Sequence, residues 1–227
     1  MIPLLVLGAI IVVAAGMPGL WVRRVMQRYR TPDSRYRMTG AELARDLLQR
    51  LELPQVQVEQ TTRGDHYDPL QRRIRLSEEN YAGRSLTAVT VAAHEVGHAV
   101  QDAIGYRPLH WRTHMVRWAT AGQRLGAGLL LGLPLILAVS RSPALLLPAA
   151  ALGVAGLAMG VLVHLVTLPT EFDASFRRAM PLLEAGYLHP EDRPHARRIL
   201  QAAALTYVAA AAMSMLNVWL WLRLLRP

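Results

Sequence analysis

The sequence predicts a mainly α-helical, polytopic membrane protein carrying a small α+β module, and three observations lead there. Of the 227 residues 52% are hydrophobic and the mean hydropathy is +0.21, too apolar for an ordinary soluble domain of this length. Those residues gather into about four runs, each near the length that crosses a hydrocarbon core of about 30 Å. Between the first run and the second lies a charged interval whose hydrophobic spacing passes from helical to alternating and back to helical.

The first run, Ile2 to Leu20, is almost wholly apolar, and Arg23, Arg24, Arg28 and Arg30 follow it. A cleaved signal peptide carries its positive charge ahead of the apolar stretch, so residues 1–22 read as an uncleaved transmembrane anchor. Pro32-Asp33-Ser34 then opens the mixed interval. Thr39 is placed to cap a helix through Leu51, because Leu43, Leu47, Leu48 and Leu51 recur at helical spacing and Pro54 stops the run. Val56 and Val58 alternate with Gln57 and Glu59, and Ile74 and Leu76 with Arg73 and Arg75, the period of half-buried strands. With turn residues from Gly64 to Pro69 between them, these two segments predict an antiparallel hairpin whose outer strand is free to accept an extended peptide.

Ser85 caps the next helix, which spans residues 85–104 and ends at Gly105. Residues 23–124 thus form one module with that helix at its centre. Leu125 to Val139 and Ala144 to Leu168 are two crossings joined by the short turn Arg141-Ser142-Pro143, a membrane hairpin over residues 125–168. A charged insert occupies residues 169–198, and Ile199 to Leu222 makes the last crossing within 199–227, with Trp219 and Trp221 as an aromatic belt.

All 25 basic residues are arginine, against 16 acids, for a formal net charge of +9. Stretches 23–124 and 177–198 hold 22 of the 25, so the positive-inside rule places both in the cytoplasm and the protein in the cell (inner) membrane. The lipid bilayer is the partner this pattern implies. No recognisable nucleic-acid module accompanies the arginines, and nucleic acid is not an expected partner.

The chemistry sits in His94-Glu95-Val96-Gly97-His98, an H-E-x-x-H sequence inside the 85–104 helix. Histidines four apart share a helix face about one turn apart, so both imidazoles reach one metal ion. Glu95 points beside the metal, where a carboxylate takes a proton from attacking water. The chain has no cysteine, so Zn2+ must take His, Asp or Glu. A catalytic zinc needs a third protein ligand, and the metzincin solution is excluded because Gln101 and Ile104 stand where its glycine and third histidine belong. Glu171 fits a thermolysin-like arrangement, with Asp173 and His164 as the competing donors. Locally, Thr170 and Asp173 also read as a helix-capping box, and His164 as a packing histidine.

The segments Gly64-Asp65-His66-Tyr67-Asp68-Pro69, His94 to Gln101, Pro169 to Ser175 and Ala202 to Ala211 together resemble the bacterial neutral zinc metallopeptidases of the membrane zinc peptidase type 2 family, over nearly the whole chain. The resemblance implies an integral membrane gluzincin with a zincin-like module, distantly similar to the heat-shock membrane protease and the CAAX prenyl endopeptidase. It implies His94, His98 and Glu171 as zinc ligands, Glu95 as catalytic base and a polypeptide substrate, the enzyme being a membrane-embedded endopeptidase. In those distant relatives the ligand motif is E-x-x-x-D, whereas Ser175 stands at its last position here, and Asp173 is the nearest replacement as acceptor for a ligand imidazole N–H.

His66, Tyr207, Arg72, Arg73 and Arg75 are candidates for steadying an oxyanion. His110 and His114 repeat the i, i+4 spacing, but with arginines around them and no acid between they read as interfacial side chains. The alternative to an enzyme is a non-hydrolytic adaptor or assembly partner in which zinc only pins helices together. Three ligands and an open position favour hydrolysis; four and a buried ion favour the adaptor.

Overall fold

The computed structural model describes residue 17 and residues 19–224. The expected first crossing, residues 2–20, lies almost entirely outside the described residues. Among those described, three helices are long and apolar enough to span a bilayer. The chain divides into two units, one of residues up to His110 together with Pro169–Thr206, the other of Trp111–Leu168 together with residues from Tyr207 onward.

The first unit begins with helix α1, residues 19–28, and helix α2, Gly40–Arg50. Thr39 caps α2 as its sequence predicts: its hydroxyl accepts from the Glu42 N–H while the Glu42 carboxylate accepts from the Thr39 N–H. Such a reciprocal cap satisfies two otherwise orphaned donors and contributes about 1 kcal/mol. Leu43, Leu47 and Leu48 turn inward from α2.

Three strands follow, β1 (Gln57–Thr61), β2 (His66–Asp68) and β3 (Arg73–Ser77), in the order β1-β3-β2. The two segments expected to form an antiparallel hairpin instead pair in parallel, Val58 opposite Ile74 and Gln60 opposite Leu76. The antiparallel partner of β3 is β2, which the sequence places within a turn. The reason is local. The Asp68 carboxylate accepts the N–H groups of both Leu70 and Gln71, and Arg72 takes φ of +51°, so the tight turn falls after Asp68 and folds β2 back on β3. β1 must then lie on the far side of β3. Ile74 and Leu76 are fully buried, and the opposite face is laced by Arg73 and Arg75 to Glu59, with Arg75 also on Asp68.

After the short α3 (Glu78–Tyr81) comes α4, Leu86–Ala103, capped by the Ser85 hydroxyl on the Ala88 N–H and closed by Gly105 at φ +65°. Nearly every α4 side chain is buried, polar ones included, so it runs through the core and not over it. Its partners are α2, the sheet and the segment after Pro169. The Tyr67 hydroxyl donates to the Asp102 carboxylate at 2.8 Å and ties β2 to the end of α4. Burial and that carboxylate push the Tyr67 phenol well above its ordinary range.

The second unit contains most of α5 (Arg107–Ser140), α6 (Leu146–Phe172) up to Leu168, and α8 (Arg193–Leu224) from Tyr207. These helices extend beyond the apolar runs that announce them: α5 begins at Arg107, well before Leu125. Within the unit α5 and α6 approach through glycines. A Cβ on Gly156 would fall 2.3 Å from the Gly122 carbonyl oxygen, and one on Gly126 2.5 Å from that of Gly153. Backbones that close are the small-residue packing of membrane helices, where lipid supplies no hydrophobic drive for association. Leu130 is buried beside Gly153.

Candidate metal centre

Two elements of the first unit build the centre, α4 and the chain from Pro169 to Ala179. No separate helix starts at Thr170: α6 continues through Pro169 to Phe172 and passes directly into a π-helical stretch, Asp173–Ala179. The expected Thr170–Asp173 cap is therefore absent, and Thr170 is a buried residue within the helix. Wide turns of this kind recur at functional sites. Met180, the first residue of α7 (Met180–Glu184), donates its N–H to the Ser175 carbonyl, five residues back.

Gly97 sets how closely the two elements meet. A Cβ there would lie 2.7 Å from the Ala174 carbonyl oxygen, so backbone stands against backbone at the midpoint of the H-E-x-x-H turn. With Ala174 at the contact, the side chains of Glu171, Asp173 and Ser175 and the backbone carbonyl of Thr170 reach α4. Gly97→Ala is expected to destabilise the fold by about 1–3 kcal/mol through overpacking. It is also expected to weaken metal binding, because relief requires Ala174 and hence Glu171 to move. Urea unfolding and metal titration of the same sample check both.

His94, His98 and Glu171 converge: their donor atoms lie within 4.8 Å of one another. One Glu171 oxygen, Oε2, stands 3.2 Å from His94 Nε2 and 3.6 Å from His98 Nε2, with the rings edge to face at 4.8 Å between centroids. All three are buried, at 7%, 4% and 2% exposure, and Glu95 is 5% exposed. Three such groups buried together are costly without a common partner, and this donor set fits a metal ion.

The far nitrogens of both imidazoles are occupied. His98 Nδ1 lies 2.9 Å from Gln101 Oε1, while Gln101 Nε2 donates to the Thr170 carbonyl at 2.8 Å and to Asp173 Oδ2 at 2.9 Å. A carbonyl and a carboxylate only accept, so the amide nitrogen must face them and the amide oxygen must face His98. His98 Nδ1 therefore donates to the amide oxygen, and Nε2 is the ring nitrogen turned toward Glu171. His94 Nδ1 lies 3.1 Å from the Ser175 hydroxyl. Ser175, the fourth residue after Glu171, thus takes that nitrogen, and Asp173 reaches His98 through Gln101. Arg178 donates to the same Asp173 oxygen at 3.2 Å. Burial and then the Asp173 charge raise the Tyr106 phenol.

Gln101 is the residue that sequence reasoning passes over: it registers there as the missing metzincin glycine, although its i+3 spacing from His98 carries the signal. Other candidates are placed elsewhere. His66 Nδ1 bonds the Gly64 carbonyl within its own loop at 2.9 Å, and Arg73 and Arg75 are held on the sheet face. Arg72 occupies the β2–β3 turn. Tyr207 accepts from Arg112 at 3.3 Å within the second unit, which also contains His114 and His164. His110 is exposed.

A buried His/His/Glu cluster that could hold a metal ion, with a glutamate beside its first histidine, stands in one chain with three described helices long and apolar enough to cross a membrane, the combination of a helical membrane protein with a candidate metal centre. The chain matches the family model described as "Putative neutral zinc metallopeptidase" over residues 4–226, and it belongs to that family. It is also 35% identical over 210 residues to a protein of Bacillus subtilis (strain 168) described as "Putative membrane protease YugP", covering 87% of this chain and 85% of that one. No solved structure matches the chain significantly.

Proposed function

We propose that the chain is a membrane-embedded zinc endopeptidase in which His94, His98 and Glu171 hold Zn2+ and Glu95 is the general base. The observation that carries this reading is the pair of histidine Nε2 atoms facing one Glu171 oxygen while Gln101 and Ser175 occupy both Nδ1 atoms. Held by His94, His98 and Glu171, a bound Zn2+ would supply Lewis acidity toward a carbonyl oxygen and a water. Glu95 takes the proton of the attacking water on its carboxylate and returns it to the leaving amine. Gln101 and Ser175 hold the two rings by their Nδ1 atoms, so that each presents Nε2 to the metal position. The substrate polypeptide lies extended along β2, the outer strand tied to α4 by Tyr67 and Asp102. By arginine distribution the site faces the cytoplasm.

The purified full chain with Zn2+ is expected to cleave a quenched fluorescent peptide library. 1,10-Phenanthroline should abolish cleavage and added Zn2+ restore it; a zinc-loaded protein that cleaves nothing overturns the reading. Gln101→Leu and Ser175→Ala are each expected to weaken zinc binding about 10–100-fold without removing a ligand. Competition with a chromophoric chelator reads that change directly. The deep burial of all three ligand residues favours a second reading, a zinc-pinned adaptor. Its signature is stoichiometric zinc whose removal unfolds the first unit, with no hydrolysis at any stage.

A further inference from the structure

The π-helical stretch Asp173–Ala179 pairs two charges that an α-helix would hold apart. In an α-helix residues five apart point about 140° away from one another, and an acid meets its cation three or four residues on. Wide i→i+5 turns bring residues five apart together instead. Here they deliver Arg178 to Asp173: Arg178 Nε donates to Asp173 Oδ2 at 3.2 Å. Arg177, at the α-helical spacing, has an 81% exposed side chain and stands 4.0 Å from the other oxygen.

Arg178 also starts from the face of α4 that carries the ligands. A Cβ on Gly97 would lie 3.3 Å from the Arg178 Cβ, so this side chain leaves the backbone at the turn between His94 and His98. Its guanidinium reaches an oxygen already in use, since Asp173 Oδ2 accepts from Gln101 Nε2 at 2.9 Å, and Gln101 Oε1 in turn lies 2.9 Å from His98 Nδ1. One chain of hydrogen bonds therefore runs from a side chain that is 29% exposed to a buried ligand imidazole. The His94 ring is held differently, by the neutral Ser175 hydroxyl at 3.1 Å.

Charge decides what that chain can do. An exposed ion pair contributes little, but the Asp173 side chain is only 4% exposed, and a carboxylate so deep needs a cation on it. As an acceptor held by Arg178, Asp173 keeps the amide nitrogen of Gln101 on its own side, and the amide oxygen is thereby kept on His98.

We propose that Arg178 is a positioning residue of the metal centre, acting through Asp173 and Gln101 to set the His98 imidazole and so the affinity for Zn2+. This rests on the reading of His94, His98 and Glu171 as zinc ligands and is independent of whether the chain cleaves peptides. The test titrates the full chain with Zn2+ against a chromophoric chelator, with no peptide present. Arg178→Met is expected to weaken zinc binding about 3–10-fold, less than Gln101→Leu because it lies two residues further from the ring. Arg178→Lys, which keeps a cation over Asp173, should fall between the unmodified chain and Arg178→Met. Arg177→Met should stay within about 2-fold of the unmodified chain, its side chain being mostly in solvent.

The decisive measurement is the double variant. If Arg178 acts through Gln101, adding Arg178→Met to Gln101→Leu should cost less than about 2-fold more, whereas independent effects would multiply. Circular dichroism confirms that the variants keep their helices. Unchanged affinity in Arg178→Met overturns the proposal. So does an equal loss in the presence and absence of Gln101→Leu, which would make Arg178 a contributor to the fold at large. An unmodified chain that binds no Zn2+ overturns the ligand reading and this proposal with it, while one that binds Zn2+ and cleaves nothing overturns the endopeptidase reading alone.

Discussion

Glu95→Gln is expected to reduce peptide hydrolysis by about 10³-fold while one zinc remains bound per chain. General-base catalysis contributes typically 10²–10⁴-fold, and the amide keeps the volume of the carboxylate but cannot take a proton at neutral pH. Because Glu95 is buried within α4 beside His94, a near-isosteric change should leave the helix in place. The measurement is paired: initial rates on a quenched peptide, and zinc content by atomic emission on the same preparation. Loss of zinc would move Glu95 from base to ligand and overturn the assignment. Unchanged hydrolysis would remove it from the chemistry altogether.

Glu171→Gln is expected to abolish zinc binding at micromolar metal and with it all activity, a loss beyond the 10–100-fold set for Gln101 and Ser175, which only orient ligands. The contrast lies in the contacts. Glu171 Oε2 faces both ligand imidazoles, whereas Asp173 touches Gln101 and Arg178, and His164 belongs to the second unit. Asp173→Asn and His164→Ala should therefore retain zinc. Isothermal titration on the three variants separates the candidates, and thermal unfolding of the metal-free forms shows whether the helix pair survives without the charge. Zinc retained by Glu171→Gln and lost by Asp173→Asn would exchange the two roles.

Much of the fold is legible in local chemistry. Thr39 with Glu42, Ser85 with the Ala88 N–H, and Gly105 beyond α4 mark helix ends by hydrogen bonds within one turn, and a sequence displays such bonds directly. Strand pairing is different. Alternation at Val56–Glu59 and Arg73–Leu76 finds two strands, yet their direction depends on where the chain reverses, and Asp68 placed that turn a few residues later than the glycine suggests. The continuation of α6 through Pro169 was likewise hidden, because Thr170 with Asp173 satisfies a local capping pattern that the packed helix does not use.

By itself the sequence determined the spacing of His94, Glu95 and His98, the exclusion of cysteine and of a metzincin histidine, and the apolar helices. Each of these is a property of residue type and period along one chain segment. Only the tertiary structure decided that Glu171 meets both imidazoles, that Ser175 takes one Nδ1 and that Gln101 fixes the other while linking to Asp173. Apart from Gln101 and His98, three residues apart on α4, those contacts join residues some seventy or more apart across a helix pair. They depend on the close approach at Gly97, a distance between two backbones that no periodicity along either one encodes.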